Sequence, residues 1–247
     1  MFEEVVRVIL KAQKCVVLTG AGISAESGVP TFRGKEGLWG KFRPEELATM
    51  DAFMANPKLV WEWYNWRRDL MGRVKPNDGH YALVELGKWF QSYTLVTQNV
   101  DNLHRLAGSS DILELHGNIY RNICMDCRHL HDEAAEIDPS AIALCRLCGG
   151  KIRPDVVWFG EMLPVKAIDT AFERAESADL FFSVGTSALV HPAATLPLVA
   201  KRRGAILIEV NPDETPLTEI ADFRFPYPSG EFLSRLLTSL KEAACVK

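Results

Sequence analysis

The sequence has no long apolar run and no excess of basic residues. Its 247 residues include 28 lysines and arginines against 32 aspartates and glutamates, giving a formal net charge of −4. No apolar stretch approaches the ~20 residues that span a bilayer, and no charged and then apolar leader precedes the opening MFEEVVRVILKAQK, which is typical of an amphipathic helix. The charge balance also lacks the basic excess that non-specific nucleic-acid binding requires. We therefore expect a cytoplasmic protein that binds neither a membrane nor, directly, a nucleic acid.

Cysteine is scarce and unevenly placed, which argues against a disulfide framework. Four of the six cysteines form the pattern Cys-x2-Cys-x17-Cys-x2-Cys, made by Cys124, Cys127, Cys145 and Cys148. Two turns that each present two thiolates can close a tetrahedral shell around zinc, so the spacing predicts a zinc site. Because four sulfur ligands leave no position for water, the metal would be structural. Two redox pairs or unligated buried thiols are the alternatives.

Short apolar runs alternate with helical patterns along most of the chain. The runs 180–184 and 205–210 are almost continuously apolar, which is typical of parallel strands covered on both faces. Shorter strands are predicted at 15–18, 93–97 and 112–115, and helical segments at 43–72 and 80–87. This alternation predicts an α/β doubly wound sheet. The segment 121–153, with its cysteines and little continuous core, interrupts the alternation and is predicted to be an insertion.

A glycine-rich turn follows the first predicted strand. Gly20 to Ala25 reads GAGISA and fits G-x-G-x-x-A, a pattern that lets backbone approach a pyrophosphate at a helix start. A turn without a ligand is the alternative. A nicotinamide dehydrogenase should show an acidic residue about 20 positions later, and none follows in the expected setting. The chain instead enters a loop with Phe32 and Arg33 at its centre, which could cover a bound nucleotide.

Polar residues follow four predicted strands. They are Gln98, Asn99 and Asp101, then His116, then Gly185, Thr186 and Ser187, and finally Asn211 and Asp213. Open α/β sheets bind ligands at the carboxyl ends of their strands, so these residues predict one polar rim. Ordinary turn chemistry is the alternative for the small and amide residues, and a structural role is the alternative for the histidine.

These segments together resemble the sirtuins, NAD-dependent protein lysine deacylases. In chain order they are GAGISAESGVPTFRG, TQNVDNLHRLAG, HGN, the two Cys-x-x-Cys pairs, RPDVVWFGE, GTS and EVNP, and they extend from Gly20 to Asn211. Val100 stands where isoleucine is commoner in the family. The resemblance implies a Rossmann-like doubly wound parallel sheet formed by 1–40, 76–120 and 154–247. A helical insertion at 41–75 and a zinc-binding insertion at 121–153 would form a small domain.

The resemblance also implies NAD as co-substrate and an acylated protein lysine as substrate. The implied cofactor-binding residues are Gly20, Ala21, Gly22, Ala25, Phe32, Arg33, Gln98, Asn99, Asp101, Gly185, Thr186, Ser187, Asn211, Asp213 and Ser229. His116 and Asn99 are implied as catalytic residues, with the imidazole taking a proton from a ribose hydroxyl after the acyl oxygen has attacked the ribose carbon. The products would be nicotinamide, deacylated lysine and an O-acyl-ADP-ribose. Val157, Trp158 and Phe159 would wall the lysine tunnel, a plain hydrophobic strand being the alternative.

Tyr64 and Arg67 lie three residues apart in WEWYNWRR, on one face of a predicted helix. In the sirtuins this Tyr-x-x-Arg pair marks class III members, which remove succinyl, malonyl or glutaryl groups. A guanidinium fork and a phenol suit a carboxylate, so we expect removal of acidic acyl groups as well as acetyl. An aromatic core residue beside a surface arginine is the alternative. Mono-ADP-ribosyl transfer, a zinc-ribbon binding protein and an oxidoreductase are the competing functions, and we expect a monomer.

Overall fold

The computed structural model describes residues 2–32, 38, 43–131 and 143–245. The helices are α1 (Phe2–Ile9), α2 (Gly22–Ala25), α3 (Pro44–Leu47), α4 (Met50–Ala55), α5 (Pro57–Gly72), α6 (Asp78–Gly87), α7 (Leu103–Leu106), α8 (Val165–Glu176), α9 (Leu196–Arg202) and α10 (Ser229–Cys245). The strands are β1 (Lys14–Thr19), β2 (Ser92–Thr97), β3 (Ile112–Glu114), β4 (Gly117–Cys124), β5 (Leu130–His131), β6 (Ile152–Val156), β7 (Leu180–Val184), β8 (Ile206–Val210) and β9 (Phe223–Phe225). No helix in these ranges has both the length and the apolar character that crossing a bilayer demands.

Six of the described strands form one parallel sheet in the order β3-β2-β1-β7-β8-β9. Every residue of β7 is buried, as its continuous apolar sequence predicts. One face is covered by a core that includes α1, α6 and α10, and the other by a core that includes α8 and α9. The predicted doubly wound α/β sheet is confirmed.

The sheet order reverses direction between β1 and β7. From β1 the chain proceeds outward through β2 to β3, whereas β7, β8 and β9 extend from the opposite edge of β1. In open α/β sheets such a reversal leaves a crevice at the carboxyl ends of the two central strands. The glycine turn follows β1 and the GTS segment follows β7, so both lie at this crevice.

A second sheet, antiparallel and ordered β5-β4-β6, was not predicted as strands. The sequence suggested little continuous core between 121 and 153, yet Ile123 and Ile152 are buried. They join a third core with Trp61 and Trp158, to which α4 and α5 also contribute. Its strands are hard to recognise because their apolar residues are interrupted by residues such as Arg121 and Asn122, whose side chains bind Glu114 of β3 and Arg68 of α5.

The helical segment at 43–72 divides into α3, α4 and α5 because of two caps. Thr49 accepts a hydrogen bond from the Ala52 N–H at the start of α4. Asn56 accepts one from the Leu59 N–H at the start of α5, where Pro57 occupies the first turn. Polar side chains at this position satisfy N–H groups that have no partner within the helix.

Candidate functional site

One cavity of about 790 Å³ opens at the reversal between β1 and β7. Its wall contains, from the predicted cofactor set, Gly20, Ala21, Gly22, Ala25, Phe32, Gln98, Asn99, Gly185, Thr186, Ser187, Asn211, Asp213 and Ser229. From the predicted catalytic and substrate sets it contains His116, Tyr64, Arg67, Val157, Trp158 and Phe159. A volume of this size is typical of a ligand-binding cleft. Arg33 lies outside the described residues, and Asp101 does not line the cavity.

The cavity floor is made where two glycine-containing turns touch. The Gly22 N–H donates to the Gly185 carbonyl at 2.8 Å, and Gly185 has a φ of +59°. A Cβ placed on Gly22 would lie 2.6 Å from the Gly185 Cα and 2.8 Å from its oxygen. Because no side chain fits there, the floor is open backbone, which suits the close approach of a pyrophosphate.

Asn99 and Gln98, at the end of β2, are held by hydrogen bonds to the turn after β1 and the turn after β7. The Asn99 amide donates to the Gly20 carbonyl at 3.0 Å and to Ser24 Oγ at 3.3 Å. The Gln98 amide donates to Thr186 Oγ1 at 2.9 Å. Asn211, at the end of β8, donates to the Thr186 carbonyl at 2.9 Å. The predicted polar rim is therefore one connected arrangement.

Asp101 lies behind this rim. Ser24 Oγ donates to one of its oxygens at 2.7 Å, and the Leu103 N–H donates to the other at 2.9 Å. Burial raises the pKa of this carboxyl. The chain turns into α7 through Asn102, which has a φ of 67°, and this turn directs Asp101 inward instead of into the cavity.

His116 presents one ring nitrogen to a backbone carbonyl. Its Nδ1 lies 2.9 Å from the Gln98 oxygen, and because a carbonyl can only accept, Nδ1 carries the proton. The remaining nitrogen, Nε2, is then unprotonated and able to act as a base. Burial lowers the pKa of the imidazole, although the Gln98 carbonyl partly opposes this. The histidine is therefore held neutral at the cavity wall.

Tyr64 and Arg67 form a buried end of the cavity. Their exposed fractions are 1% and 3%, so the interpretation of a surface arginine is wrong. The Arg67 guanidinium carbon lies 5.0 Å from the centroid of the Phe32 ring and 4.9 Å from that of Trp63. Within the described ranges, its Nε has no hydrogen-bond partner and no carboxylate forms an ion pair with the guanidinium. Asp101 acts on the charge of this guanidinium without contacting it, because its oxygens accept from Ser24 and Leu103. A buried guanidinium that no carboxylate contacts directly favours an anionic ligand group.

The sequence analysis missed the pair that shapes the segment after β6. Arg153, 2% exposed, binds Glu161 through two hydrogen bonds of 2.7 and 2.9 Å. Glu161 also accepts from the Trp158 N–H at 2.8 Å. Both charged residues occur in RPDVVWFGE, where a basic and an acidic residue flank an apolar run, and that flanking was the available signal. The pair closes the loop that carries Trp158 and Phe159.

The four predicted metal ligands come together. Their sulfur atoms all lie within 4.8 Å of one another, with Cys124 to Cys148 at 3.5 Å and Cys127 to Cys145 at 3.7 Å. Zinc–sulfur bonds of about 2.3 Å in a tetrahedron place sulfur atoms about 3.8 Å apart. The donor set and its spacing therefore fit a zinc ion without a water ligand.

Comparisons with known proteins agree with this geometry. Residues 20–192 match the model of the Sir2 family. The chain is 53% identical to an NAD-dependent protein deacylase of Aquifex aeolicus (strain VF5), over 92% of this chain and 95% of that protein. It is 50% identical to an NAD-dependent protein deacylase of Pyrococcus abyssi (strain GE5 / Orsay), over 98% of each.

Solved structures of Sir2 proteins also resemble this chain. A Sir2 homologue mutant in complex with ADP-ribose superimposes with a TM-score of 0.96 at 44% identity, covering 100% of this chain and 99% of that one. A Sir2–p53 peptide–NAD+ complex superimposes with a TM-score of 0.85 at 33% identity, covering 97% and 98%. The fold, the cavity and these likenesses together show that the chain belongs to the Sir2 family.

Proposed function

We propose that this protein is an NAD-dependent protein lysine deacylase. The observation that carries the proposal is His116, held neutral with Nε2 available, in a cavity that joins the glycine floor to the Tyr64–Arg67 end. Relatives named NAD-dependent protein deacylase, and a relative solved with both peptide and NAD+, support it.

NAD fits the half of the cavity made by the turns after β1, β7 and β8. The open backbone at Gly22 and Gly185 would receive the pyrophosphate, and Asn211 and Ser187 would face the adenosine. The buried hydroxyl of Ser229 has no hydrogen-bond partner among the residues that the structure describes, so it would be available to the ligand. Gln98 and Asn99 would line the nicotinamide and ribose pocket, and Asp101 would act through Ser24 and Asn99.

His116 would serve as the general base. When bound, NAD supplies an ADP-ribosyl group that releases nicotinamide and accepts the acyl oxygen. Nε2 of His116 would take a proton from a ribose hydroxyl, and the Gln98 carbonyl would stabilise the charged ring through Nδ1–H. Phe32 lies on the cavity wall, where its ring would exclude water from the reacting carbon.

The acylated lysine would enter beside the segment after β6. The Val157 N–H donates to the His116 carbonyl at 3.0 Å, so this segment is tied directly to the base. Val157, Trp158 and Phe159 contribute to the wall, with Phe159 48% exposed, as a contact at the entrance requires. A peptide could pair with this extended backbone as an added strand.

The acyl group, we propose further, includes succinyl and malonyl as well as acetyl. Arg67 is buried without a carboxylate partner in the described ranges, and Tyr64 lies beside it. An acyl chain that ends in a carboxylate would form the direct ion pair that Arg67 lacks within the described ranges. Zinc at the four cysteines would be structural, because the cluster has no place for a water ligand.

The two sheets support a division into a large domain (1–40, 76–120 and 154–247) and a small domain (41–75 and 121–153). Free cysteines throughout the described ranges are compatible with a reducing compartment, which supports a cytoplasmic location. We also propose that the protein is a monomer. The absence of a basic excess supports our further proposal that it does not bind nucleic acid directly.

The test incubates the protein with NAD and peptides of one sequence that carry acetyl-lysine, succinyl-lysine or free lysine, with product identification by mass. We expect nicotinamide release only with the acylated peptides, together with deacylated lysine and O-acyl-ADP-ribose. His116→Tyr should lower turnover by about 100-fold or more. NADH formation, ADP-ribose left on the peptide, or an absence of NAD turnover would each contradict the proposal.

A further inference from the structure

Among the residues that the structure describes, Tyr64 has one hydrogen-bond partner, the indole of Trp158. Trp158 Nε1 donates to Tyr64 Oη at 2.8 Å across 94 positions of sequence. Both side chains are almost fully buried, at 2% and 1% exposed, and both line the cavity. Because the indole N–H can only donate, the tyrosine oxygen is the acceptor and its own O–H is left without an acceptor in the described ranges.

An indole donor restricts where the phenol can point its proton. A phenolic O–H prefers the plane of its ring, which gives two orientations, one on each side of the oxygen. The Trp158 hydrogen already occupies one side, so the O–H must take the other. The phenol is kept in its neutral, donating form, since burial raises its pKa.

Trp158 is itself held rigidly. The guanidinium of Arg153 lies 4.0 Å from the centroid of the indole, and Glu161 fixes that guanidinium through two hydrogen bonds. Glu161 also accepts from the Trp158 backbone N–H, and the Phe53 ring lies 5.3 Å from the indole. The indole therefore cannot turn its N–H away from Tyr64 without breaking several contacts.

We propose that Trp158 is a specificity-determining residue, because its N–H directs the Tyr64 hydroxyl to donate to the terminal carboxylate of an acidic acyl group beside Arg67. This inference rests on the proposed function. It adds that Trp158 acts through its N–H as well as by forming the wall of the lysine tunnel. An acetyl group has no atom for this hydroxyl to reach, so the N–H should matter for succinyl and malonyl substrates and much less for acetyl.

The test compares kcat/KM for succinyl-lysine and acetyl-lysine peptides of one sequence in Trp158→Phe, Tyr64→Phe and the double variant. Trp158→Phe keeps an aromatic ring but removes the donor, and we expect the succinyl-to-acetyl ratio to fall about 3- to 10-fold, as loss of one net hydrogen bond predicts. The double variant should match Tyr64→Phe, because without the hydroxyl the indole has nothing to direct. Trp61→Phe is the matched control, because it removes a buried indole N–H that has no hydrogen-bond partner in the described ranges and does not line the cavity, and it should leave the ratio unchanged.

An equal loss on both substrates in Trp158→Phe, or a double variant whose ratio is the product of the two single effects, would overturn the inference. If Trp158→Phe is too unstable to assay, Trp158→Met also removes the donor and the same ratio is measured. A wild-type protein that deacetylates but does not desuccinylate would instead refute the acidic-acyl specificity itself, so the two failures are distinguishable.

Discussion

At the scale of single residues, the site depends on groups whose protonation and charge are set by burial. His116 is neutral because its surroundings penalise the charged ring, and Arg67 is charged although no carboxylate of the described ranges pairs with it. In the proposed function, the first arrangement would supply a base at neutral pH, and the second would bind an anionic group. Each can be tested separately.

The activity should depend on pH through His116. A base must be unprotonated, and because burial lowers its pKa, His116 stays neutral down to a pH below the ~6.5 of a free histidine. We expect kcat/KM to fall as the pH falls, with a midpoint below that value and a slope of one on a logarithmic plot. A profile of deacetylation measured with saturating NAD checks this. An acid midpoint clearly above the value of free histidine would contradict the role assigned to His116.

Arg67→Met should lower kcat/KM for peptides with an acidic acyl group more than for acetyl peptides. Removing the guanidinium takes away a charge-assisted contact worth about 1.5–3 kcal/mol, so kcat/KM for a succinyl peptide should fall about 10- to 100-fold more than for an acetyl peptide. Arg68→Met is the matched control, because Arg68 binds the Ile119 carbonyl and Asn122 at 2.7 Å each instead of lining the cavity. Equal losses on both peptides for Arg67→Met would remove the case for carboxylate recognition.

At the scale of elements, the turns after β1 and β7 form one unit. The Gly20 N–H donates to the Val184 carbonyl at 3.0 Å, and Gly22 donates to Gly185. The parallel register of Thr19 with Val184 brings both turns to the same edge. The glycines are needed for this contact between two backbones, and the ligand-binding floor is its consequence.

Gly22→Ala should damage NAD binding. The new methyl group would lie 2.6 Å from the Gly185 Cα, and since backbone cannot move as a side chain does, the two turns must separate. We expect a destabilisation of about 1–3 kcal/mol, as for an overpacked core, and a KM for NAD raised at least several-fold. Gly72→Ala at the end of α5 is the control, because a Cβ there meets nothing within 4 Å. Steady-state kinetics and thermal unfolding measure both, and an unchanged KM for NAD in Gly22→Ala would count against the floor.

At the scale of the whole molecule, the four-cysteine cluster lies on the sheet that leads into the segment after β6. Cys124 ends β4, and Cys145 is buried in the core that also holds Tyr64 and Trp158. β4 pairs with β6, after which the chain reaches Val157 and Trp158. Loss of the cluster should therefore disturb the packing around Tyr64 and Trp158 at the cavity wall, without any role for the metal in the chemistry.

Removal of zinc should lower both stability and deacylation. We expect one zinc per chain, a lower thermal midpoint after treatment with a strong chelator, and recovery with zinc but not with magnesium. Cys148→Ser should reproduce the effect, whereas Cys245→Ser, which alters an exposed cysteine outside the cluster, should not. Metal analysis and thermal unfolding provide the measurements. A zinc-free protein with an unchanged midpoint would contradict a structural metal.

The sequence by itself determined the features that repeat at short range. The apolar runs of β7 and β8 specify strands covered on both faces, and the spacing of the four cysteines specifies a shared metal shell. His116 and the amides at 98 and 99 could be placed at strand ends because parallel strands end at one edge of a sheet. These inferences needed only periodicity, spacing and chain order, together with the family resemblance that supplied the chemistry.

Only the tertiary structure decided the contacts between residues far apart in sequence. The inward orientation of Asp101, the burial of Arg67, the Arg153–Glu161 pair and the bond from Trp158 to Tyr64 all depend on which side chains packing brings together. The second sheet was not predicted for the same reason, since polar residues such as Arg121 and Asn122 bind partners outside that sheet. Local sequence patterns indicate which residues are buried, whereas tertiary packing determines which partner each buried polar group binds.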